Sequence, residues 1–388
     1  MRSILIFPAS AVLAVISIPA FAQFEKELPQ GTKSVQTQIG PIEVRKIAGG
    51  LEKPWGIDFL PDGRALITEK AGRLRILKLD GSLSGPLNGT PEVYSEGQGG
   101  LMDVAVDPQF AQNRIVYLSF AEPGEGGAGT ALGRGTLADD RIENFRVIFR
   151  QTPKVTGSNH FGNRIVFSPN GHIFLTLGER FKFAPAQDLS NTLGTVVRLN
   201  RDGTIPKDNP FHGDPKADDA VWSYGHRNIE AAASHPQTGA LWVAEMGPLG
   251  GDELNQLQPG KNYGWPEVSW GRHYNGRDIP DPPTRPEFAD AAMHWTPVIS
   301  PSGMHFYTGN LITGWEGSAL IGSLSGTALV RVAIDGNRVR EAERIPLGAR
   351  VRDVTQGPDG TIHVITDEAD GAVWQITPMD SGNQANKD

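Results

Sequence analysis

Residues 167–176 read FSPNGHIFLT, which is the end of an apolar strand, a proline-containing turn and a second apolar segment. The same order recurs along the chain in six copies, one of which lacks the proline. The copies lie at residues 59–68, 106–120, 167–176, 234–243, 306–324 and 356–366. A tight turn followed by apolar residues at every second position is typical of an antiparallel β-hairpin.

The spacing of these copies predicts the fold. Successive turns are between about 47 and about 73 residues apart, which leaves room for four short strands and their loops. Six such units predict an all-β chain that folds as a six-bladed β-propeller of four-stranded antiparallel blades. A pair of β-sandwiches with coincidentally similar turns is the alternative. We expect the propeller to occupy residues 23–378, with a functional site built by the long insertions at 178–198 and 247–300.

The composition agrees with this architecture and excludes several classes of function. The 47 glycines and 29 prolines are spread along the chain, as expected for many short strands joined by tight turns. The net charge of −8 argues against nucleic acid as the main partner, since the phosphate backbone needs a basic surface. The absence of cysteine excludes disulfides and thiolate metal sites. The P-loop, HExxH and GxSxG motifs are absent as well, which disfavours ATP-dependent, metalloprotease and common esterase activities.

The N-terminus has the order of a secretory signal. Arg2 precedes an apolar stretch that ends in AFA at residues 20–22, which predicts cleavage after the last of these residues. An uncleaved membrane anchor is the alternative, but the apolar core is short. We therefore expect residues 1–22 to be a signal peptide and the mature protein to be periplasmic, without a membrane span. Residues 379–388 are expected to form a disordered tail.

Polar residues stand directly before two of the repeat strands. His160 precedes the predicted strand at 164–167. A histidine near its ordinary pKa can accept a proton at neutral pH, which suits a general base, although a lone histidine is more often structural or merely solvated. Arg227 and Asn228 precede another repeat strand, and the arginine offers a fork of donors suited to a carboxylate or a quinone oxygen.

Arg350 and Arg352 lie two residues apart, so on a strand their side chains share one face. Two arginines on one face repel each other unless an anion lies between them, which indicates a site for an anionic ligand. The alternative is that one of them pairs with Asp353 or Glu368 in a structural ion pair.

A glycine-rich segment at 245–266 contains Asp252 and Glu253, and Tyr263 follows. Carboxylates and free loop carbonyls are the ligands that Ca²⁺ prefers, but the spacing matches no EF-hand, so the pattern alone gives a weak calcium candidate. Gln98, within a second glycine-rich run, is either a ligand contact or part of a plain turn.

Taken in order, these segments resemble those of a known family. The chain is similar, from about residue 51 to residue 377, to the soluble quinoprotein aldose sugar dehydrogenases, which use pyrroloquinoline quinone (PQQ). The resemblance implies a six-bladed propeller, in agreement with the repeat. It rests on seven segments: KPWGIDFLPDG, EGQGGLMDVAVDPQF, NHFGNRIVFSPNG, LGTVVRLNRDGTIPKDNPF, YGHRNIE, GPLGGDELN with the following NYGWP, and RVRDV.

The resemblance also implies roles for individual residues. His160 would be the general base, and Arg227 would take part in catalysis beside it. The implied PQQ contacts are Gln98, His160, Arg227, Asn228, Arg350 and Arg352. The implied calcium ligands are the backbone carbonyls of Gly247 and Pro248 above the quinone, and Glu253 and Tyr263 at a second site.

The chain departs from the family pattern at a few positions. Ser325 or Gly326 stands where relatives often carry a lysine, so one cationic contact to PQQ is either missing or supplied from elsewhere. Met246 stands in the place of a polar residue, and Glu179 in the place of an aspartate.

The activity implied by the resemblance is a PQQ- and calcium-dependent oxidation of aldose sugars at the anomeric carbon to lactones. Hydride would pass to PQQ and electrons to an external acceptor. The rival functions are a calcium-dependent propeller hydrolase acting on sugar lactones, and a non-catalytic propeller that binds a partner through one face. The sequence leaves a monomer and a homodimer equally open.

Overall fold

A computed structural model describes residues 31–279 and 283–379 of the chain. The predicted signal peptide lies outside the described residues, and so does the predicted tail except for Met379. Both therefore stay predictions.

The described chain consists almost entirely of β-strands. Its helical segments are α1 (Phe110–Asn113) and the 3-10 turn η1 (Ala184–Gln187), and in the part of the chain that the structure describes no helix is long and apolar enough to cross a membrane. The first strands in the chain are β1 (Thr32–Thr37), β2 (Gly40–Leu51), β3 (Pro54–Phe59), β4 (Ala65–Glu69), β5 (Arg73–Leu77), β6 (Leu101–Val106), β7 (Ile115–Gly124), β8 (Gly127–Leu137) and β9 (Ile142–Arg150). They are followed by β10 (Gly162–Phe167), β11 (Ile173–Leu177), β12 (Thr195–Leu199), β13 (Val221–Tyr224), β14 (Ile229–Ser234), β15 (Leu241–Glu245), β16 (Asp252–Gln256) and β17 (Met293–Trp295). The last are β18 (Pro301–Phe306), β19 (Ala319–Ser323), β20 (Ala328–Asp335), β21 (Arg338–Pro346), β22 (Val351–Gln356), β23 (Ile362–Thr366) and β24 (Gly371–Pro378).

These strands form six antiparallel sheets arranged in a ring, so the predicted six-bladed propeller is confirmed. Blades 1 to 5 are β3–β5, β6–β9, β10–β13, β14–β17 and β18–β21, and blade 6 has the order β1-β2-β24-β23-β22. In blades 1 to 5 the first strand in chain order lies innermost, and in blade 6 the innermost strand is β22. Each innermost strand contacts those of the two neighbouring blades, and β22 contacts β3 to close the ring.

Two sheets depart from the predicted four strands, each for a physical reason. Blade 6 gains β1 and β2 because the N-terminal segment pairs with β24 and thereby closes the ring with strands from both ends of the chain. Blade 1 has three strands because its outer segment contains glycines and prolines, which interrupt a ladder. This segment still follows β5, since the N–H groups of Ser84 and Leu87 donate to the carbonyls of Ile76 and Leu74, both at 2.8 Å.

The six turn copies of the sequence all occupy the same place in the fold, because each connects the innermost strand of a blade to the strand next to it. In the copy that joins β10 to β11, Gly171 has φ +82°, a value that glycine adopts without strain. Since the copies are equivalent, all six innermost strands run in the same direction. The residues that precede them are therefore gathered at one end of the central channel.

Around the channel, each of three innermost strands carries an aspartate that accepts a backbone N–H group of the neighbouring blade. Asp353 accepts from Ile57 at 3.0 Å, and Asp58 accepts from Val106 at 2.7 Å. Asp103 similarly accepts from the strand β10 of blade 3. Because neighbouring blades share no ladder, these bonds satisfy buried backbone donors that sheet pairing leaves free.

Candidate active site

The channel end at which the innermost strands begin contains a cavity of about 430 Å³, a size that suits a cofactor or another small ligand. Its wall includes residues that precede or begin the first strands of several blades, among them Gln98, Ser300 and Arg350. We call this space the cationic cavity, because its ionisable wall residues are Lys53, Lys70, Arg350, Arg352, Glu230 and Asp367.

His160 lies beside the cationic cavity and is held from three sides. Its backbone, at φ +54°, donates its N–H to Oε1 of Gln98 at 2.6 Å. Its Nδ1 lies 2.6 Å from Oε1 of Glu179, and the ring of Phe181 meets the imidazole edge-on at a centroid distance of 5.0 Å. These contacts fix the position and the plane of the imidazole ring.

The tautomer of His160 follows from the environment of Glu179. This carboxylate is fully buried, and its other oxygen accepts the backbone N–H groups of Lys182 and Phe183, the latter at 2.6 Å. An ionised carboxylate only accepts hydrogen bonds, so Nδ1 carries the proton and Nε2 keeps its lone pair. Burial lowers the pKa of His160, and the bond to Glu179 opposes that effect. The imidazole is therefore neutral at pH 7 and able to accept a proton.

Arg227 and Asn228 lie next to His160, as the sequence predicts. The guanidinium of Arg227 donates to the carbonyl of Met246 at 2.8 Å and to the hydroxyl of Tyr274 at 3.0 Å, while its Nε finds no hydrogen-bond partner among the described residues. The side chain of Asn228 accepts the backbone N–H of Gly162 at 3.0 Å, which ties blade 4 to the first residue of β10.

Arg350 and Arg352 share one face, and the anion between them belongs to the protein. Oδ2 of Asp367 accepts from Arg350 at 2.9 Å and from Arg352 at 3.0 Å. Arg352 also donates to Glu230 at 2.6 Å, and its Nε is buried without a partner. The structural alternative considered for these arginines is thus realised, but with Asp367 and Glu230 in place of the expected Asp353 or Glu368.

The glycine-rich segment 245–266 encloses a much smaller space of about 10 Å³, lined among others by Glu245, Gly247, Glu253 and Tyr263. Burial, reinforced by the charge of Glu245, raises the pKa of Glu253 to about 8. The Tyr263 hydroxyl donates to the carbonyl of Gln256 at 2.9 Å. The same hydroxyl accepts the backbone N–H of Gln258 at 3.0 Å, so both of these bonds hold it in the loop.

Asp252, the other acidic candidate, has a structural role in the loop. It accepts the backbone N–H groups of Gly247 at 2.8 Å, Ile299 at 2.7 Å and Ser300 at 2.6 Å. Among the described residues, no group of three or more histidine, aspartate or glutamate side chains is arranged to hold a metal ion. Any calcium in this region would therefore depend mainly on backbone carbonyls and water.

A second cavity, of about 410 Å³, is lined by aromatic side chains, and one of them, Phe181, contacts the ring of His160. The two long insertions build it together: Phe181 and Phe183 come from the first, and Trp265 and Tyr274 from the second. Phe183 stacks on Trp265 with centroids 5.6 Å apart. Tyr274 lines both spaces, so this aromatic cavity and the cationic cavity adjoin.

Several residues of the site were not predicted from the sequence. Glu179 was noted only as a departure from the family pattern, and Glu230, Asp367 and Lys70 were not considered. A signal for two of them exists in the hairpin register: Gly162 faces Leu177, so two residues further out His160 faces Glu179. In the same way Val351 faces Thr366, which sets Asp367 opposite the preceding arginine.

Comparison with known proteins agrees with this geometry. The sequence model of the glucose / sorbosone dehydrogenase family matches residues 51–375. Aldose sugar dehydrogenase YliI of Escherichia coli is 42% identical over 347 residues, which cover 87% of this chain and 93% of that protein.

Solved structures give the same result. The apo-form of the soluble aldose sugar dehydrogenase from Escherichia coli superposes with a TM-score of 0.84 at 42% identity, over 87% of this chain and 99% of that one. The PQQ-bound form of aldose sugar dehydrogenase from Streptomyces coelicolor superposes with a TM-score of 0.71 at 25% identity, over 86% and 98% of the two chains.

The fold and the site thus define a six-bladed propeller of the sugar dehydrogenase class, with paired cavities at one end of the channel. The chain belongs to the glucose / sorbosone dehydrogenase family. The family resemblance predicted from the sequence motifs is confirmed.

Proposed function

We propose that the protein is a PQQ- and calcium-dependent dehydrogenase that oxidises aldose sugars at the anomeric carbon to lactones and passes the electrons to an external acceptor. The observation that carries the proposal is the buried pair of His160 and Glu179, because the contacts of His160 with Gln98 and Phe181 connect it to the walls of the adjoining cationic and aromatic cavities. It combines a proton acceptor with one space suited to an anionic cofactor and another suited to a sugar ring.

The residues of the cationic cavity fit PQQ, which carries three carboxylates. Nε of Arg352 in the wall of this cavity, and Nε of Arg227 in the adjoining aromatic cavity, are buried donors without a partner among the described residues, and such donors favour an anionic oxygen acceptor. Gln98, whose carbonyl oxygen holds the backbone of His160, keeps its amide N–H groups available to the same ligand.

The segment that precedes β16 fits calcium. No donor in the described ranges reaches the carbonyl oxygens of Gly247 or Pro248, so both keep their lone pairs. Glu253 forms no ion pair within the described residues, and its raised pKa is the result expected for a buried carboxylate without a direct counter-charge. A divalent cation beside Glu253 would favour the ionised form and relieve this cost.

The chain's own side chains supply acid–base chemistry and orientation. Nε2 of His160 takes the proton of the anomeric hydroxyl, and Glu179 stabilises the imidazolium that results. Arg227 stabilises negative charge that develops next to its guanidinium group. When bound, PQQ supplies the hydride acceptor and Ca²⁺ polarises its reactive carbonyl.

The test is reconstitution of the purified apo-protein with PQQ and Ca²⁺, followed by dye reduction with a panel of aldoses and identification of the lactone. We expect turnover only when sugar, PQQ and Ca²⁺ are all present, and a loss of about a hundredfold or more in His160→Ala. Lactone hydrolysis without PQQ would instead support a propeller hydrolase. The absence of both activities and of any PQQ or calcium response would support a binding module.

The proposal includes export to the periplasm, where an external acceptor can reach the channel end. N-terminal sequencing of the mature protein tests this step, and we expect it to begin at residue 23. A mature protein that retains residues 1–22 would contradict it.

A further inference from the structure

The charges of the cationic cavity are unevenly compensated. Four cationic and two acidic side chains line it, and both acids are bonded to the arginines of the cavity. Arg350 and Arg352 together carry two positive charges, and Asp367 and Glu230 carry two negative charges. The arginine pair that the sequence singles out therefore offers donors with fixed geometry but almost no net charge.

The uncompensated charge belongs to Lys53 and Lys70. Among the described residues, no carboxylate lies within ion-pair distance of either ammonium group. Lys53 is exposed at the rim, whereas Lys70 is half-buried and its Nζ donates to the carbonyl of Gly97 at 2.5 Å, beside Gln98. An ammonium group has three donors, so two of those on Lys70 stay free for a ligand.

The fold explains why these two lysines reach the cavity. Pro54 in β3 faces Glu69 in β4, so Lys53 and Lys70 face each other one residue beyond the hairpin ladder. The backbone N–H of Lys70 donates to the carbonyl of Lys53 at 3.2 Å, which maintains that pairing. Two adjacent cations without a carboxylate repel each other, and an anion between them removes the repulsion.

We propose that Lys70, assisted by Lys53, supplies the positive charge that anchors a carboxylate of the anionic cofactor, while Arg350 and Arg352 act as oriented donors held by Asp367. The inference rests on the proposed function, because it takes PQQ as the occupant of the cationic cavity. Burial lowers the pKa of Lys70 and the charges of Arg352 and Lys53 lower it further, while those of Asp367 and Glu230 raise it. An anionic ligand beside the ammonium group adds to the raising effects and favours the protonated lysine.

The test compares the equilibrium binding of PQQ to apo-protein, followed by tryptophan fluorescence, in the natural chain and in three variants. Lys70→Met keeps the aliphatic stem and removes the charge, and Lys70→Arg restores a cation. Lys78→Met is the matched control, since Lys78 is an exposed lysine that lines a different cavity. We expect Lys70→Met to bind PQQ at least about tenfold more weakly and with a smaller salt dependence. Lys70→Arg should recover most of the affinity, and Lys78→Met should match the natural chain.

Benzene-1,2,4-tricarboxylate, titrated by calorimetry, separates failure of this inference from failure of the proposed function. If the natural chain binds PQQ and Lys70→Met binds it equally well, the role of Lys70 is overturned and the function stands. If the natural chain does not bind PQQ but binds the tricarboxylate in a Lys70-dependent manner, the function is overturned and the anion site stands. Failure of the natural chain to bind either anion overturns both, and unaltered thermal unfolding of the variants shows that they are folded.

Discussion

Glu179 offers the sharpest test of the proton-transfer step, because replacement by glutamine changes charge and hydrogen bonding with almost no change in shape. Two backbone N–H groups donate to one oxygen of the carboxylate, and Nδ1 of His160 donates to the other. In Glu179→Gln the single carbonyl oxygen is needed by the two backbone donors. The amide N–H₂ must therefore face His160, and Nδ1 has to accept instead of donate.

This exchange moves the imidazole proton to Nε2, the atom that the mechanism needs as a base. The variant also loses a charge-assisted hydrogen bond to the imidazolium, which contributes about 1.5–3 kcal/mol, or roughly a factor of 10–150 in rate. The tautomer effect adds to this loss, since a comparable carboxylate-to-amide change in a catalytic triad costs about 10⁴-fold. We expect the rate of sugar oxidation to fall by at least about a hundredfold, with PQQ still bound.

The assay is stopped-flow reduction of the PQQ-loaded enzyme under saturating sugar, measured from pH 5 to pH 9. Because Glu179 raises the pKa of His160, its loss moves the acidic limb of the profile to lower pH in whatever activity remains. Glu125→Gln is the control, since Glu125 is exposed at the turn between β7 and β8 and forms no ion pair within the described residues. A Glu179→Gln enzyme with an unchanged reductive rate and an unchanged pH profile would refute the role given to this pair.

Further perturbations test other parts of the site. Asp367→Asn leaves Arg350 and Arg352 with one compensating acid instead of two. Differential scanning calorimetry should show a lower midpoint of thermal unfolding for this variant without PQQ, and a much smaller decrease with PQQ bound. Phe181→Ala should raise KM for the sugar several-fold with a smaller effect on kcat, because the ring lines the aromatic cavity; an unchanged KM in steady-state assays would place the sugar elsewhere. Ca²⁺ should raise the unfolding midpoint of the natural chain but not of Glu253→Gln, and equal shifts would exclude this carboxylate as a ligand. Burial raises the pKa of Asp58 to about 7, so between about pH 4 and pH 7 the folded state binds a proton that the unfolded state has lost. The free energy of unfolding therefore falls as the pH rises through this range. Asp58→Asn should flatten this pH dependence in urea unfolding, and an unaltered slope would contradict the assignment.

The fold could be predicted from the sequence because a propeller repeats its turn chemistry. Each copy of the proline turn marks the same connection between two strands, so counting turns counts blades. The strand pairings that the sequence did not predict lie where the repeat carries no signal. Closure of blade 6 by β2 depends on pairing between segments at opposite ends of the chain, which local periodicity does not encode.

The site was only partly predictable, for a related reason. His160 and Arg227 stand out because they precede repeat strands, and Arg350 and Arg352 stand out because their spacing sets two cations on one face of a strand. Their partners lie on second strands or deeper in a blade, and a sequence does not show which carboxylate reaches them. The expected partner of the arginines, Asp353, instead binds Arg164 at 3.1 Å in the channel, because it points to the other face of β22.

The hairpin register connects these partners to one rule. In a blade whose first and second strands pair antiparallel, the residue that precedes the first strand faces the residue that follows the second. The facing pairs are His160 with Glu179, Arg350 with Asp367, and Lys53 with Lys70.

Two of these pairs join a basic side chain directly to a carboxylate of the protein. The lysine pair of blade 1 is the exception, since both of its members are cations. Stability alone would favour a carboxylate at one of the two positions, because like charges at facing positions destabilise the folded state. Under the proposal above the ligand supplies the missing counter-charge, so blade 1 is the one that we expect to depend most on the bound cofactor for its stability.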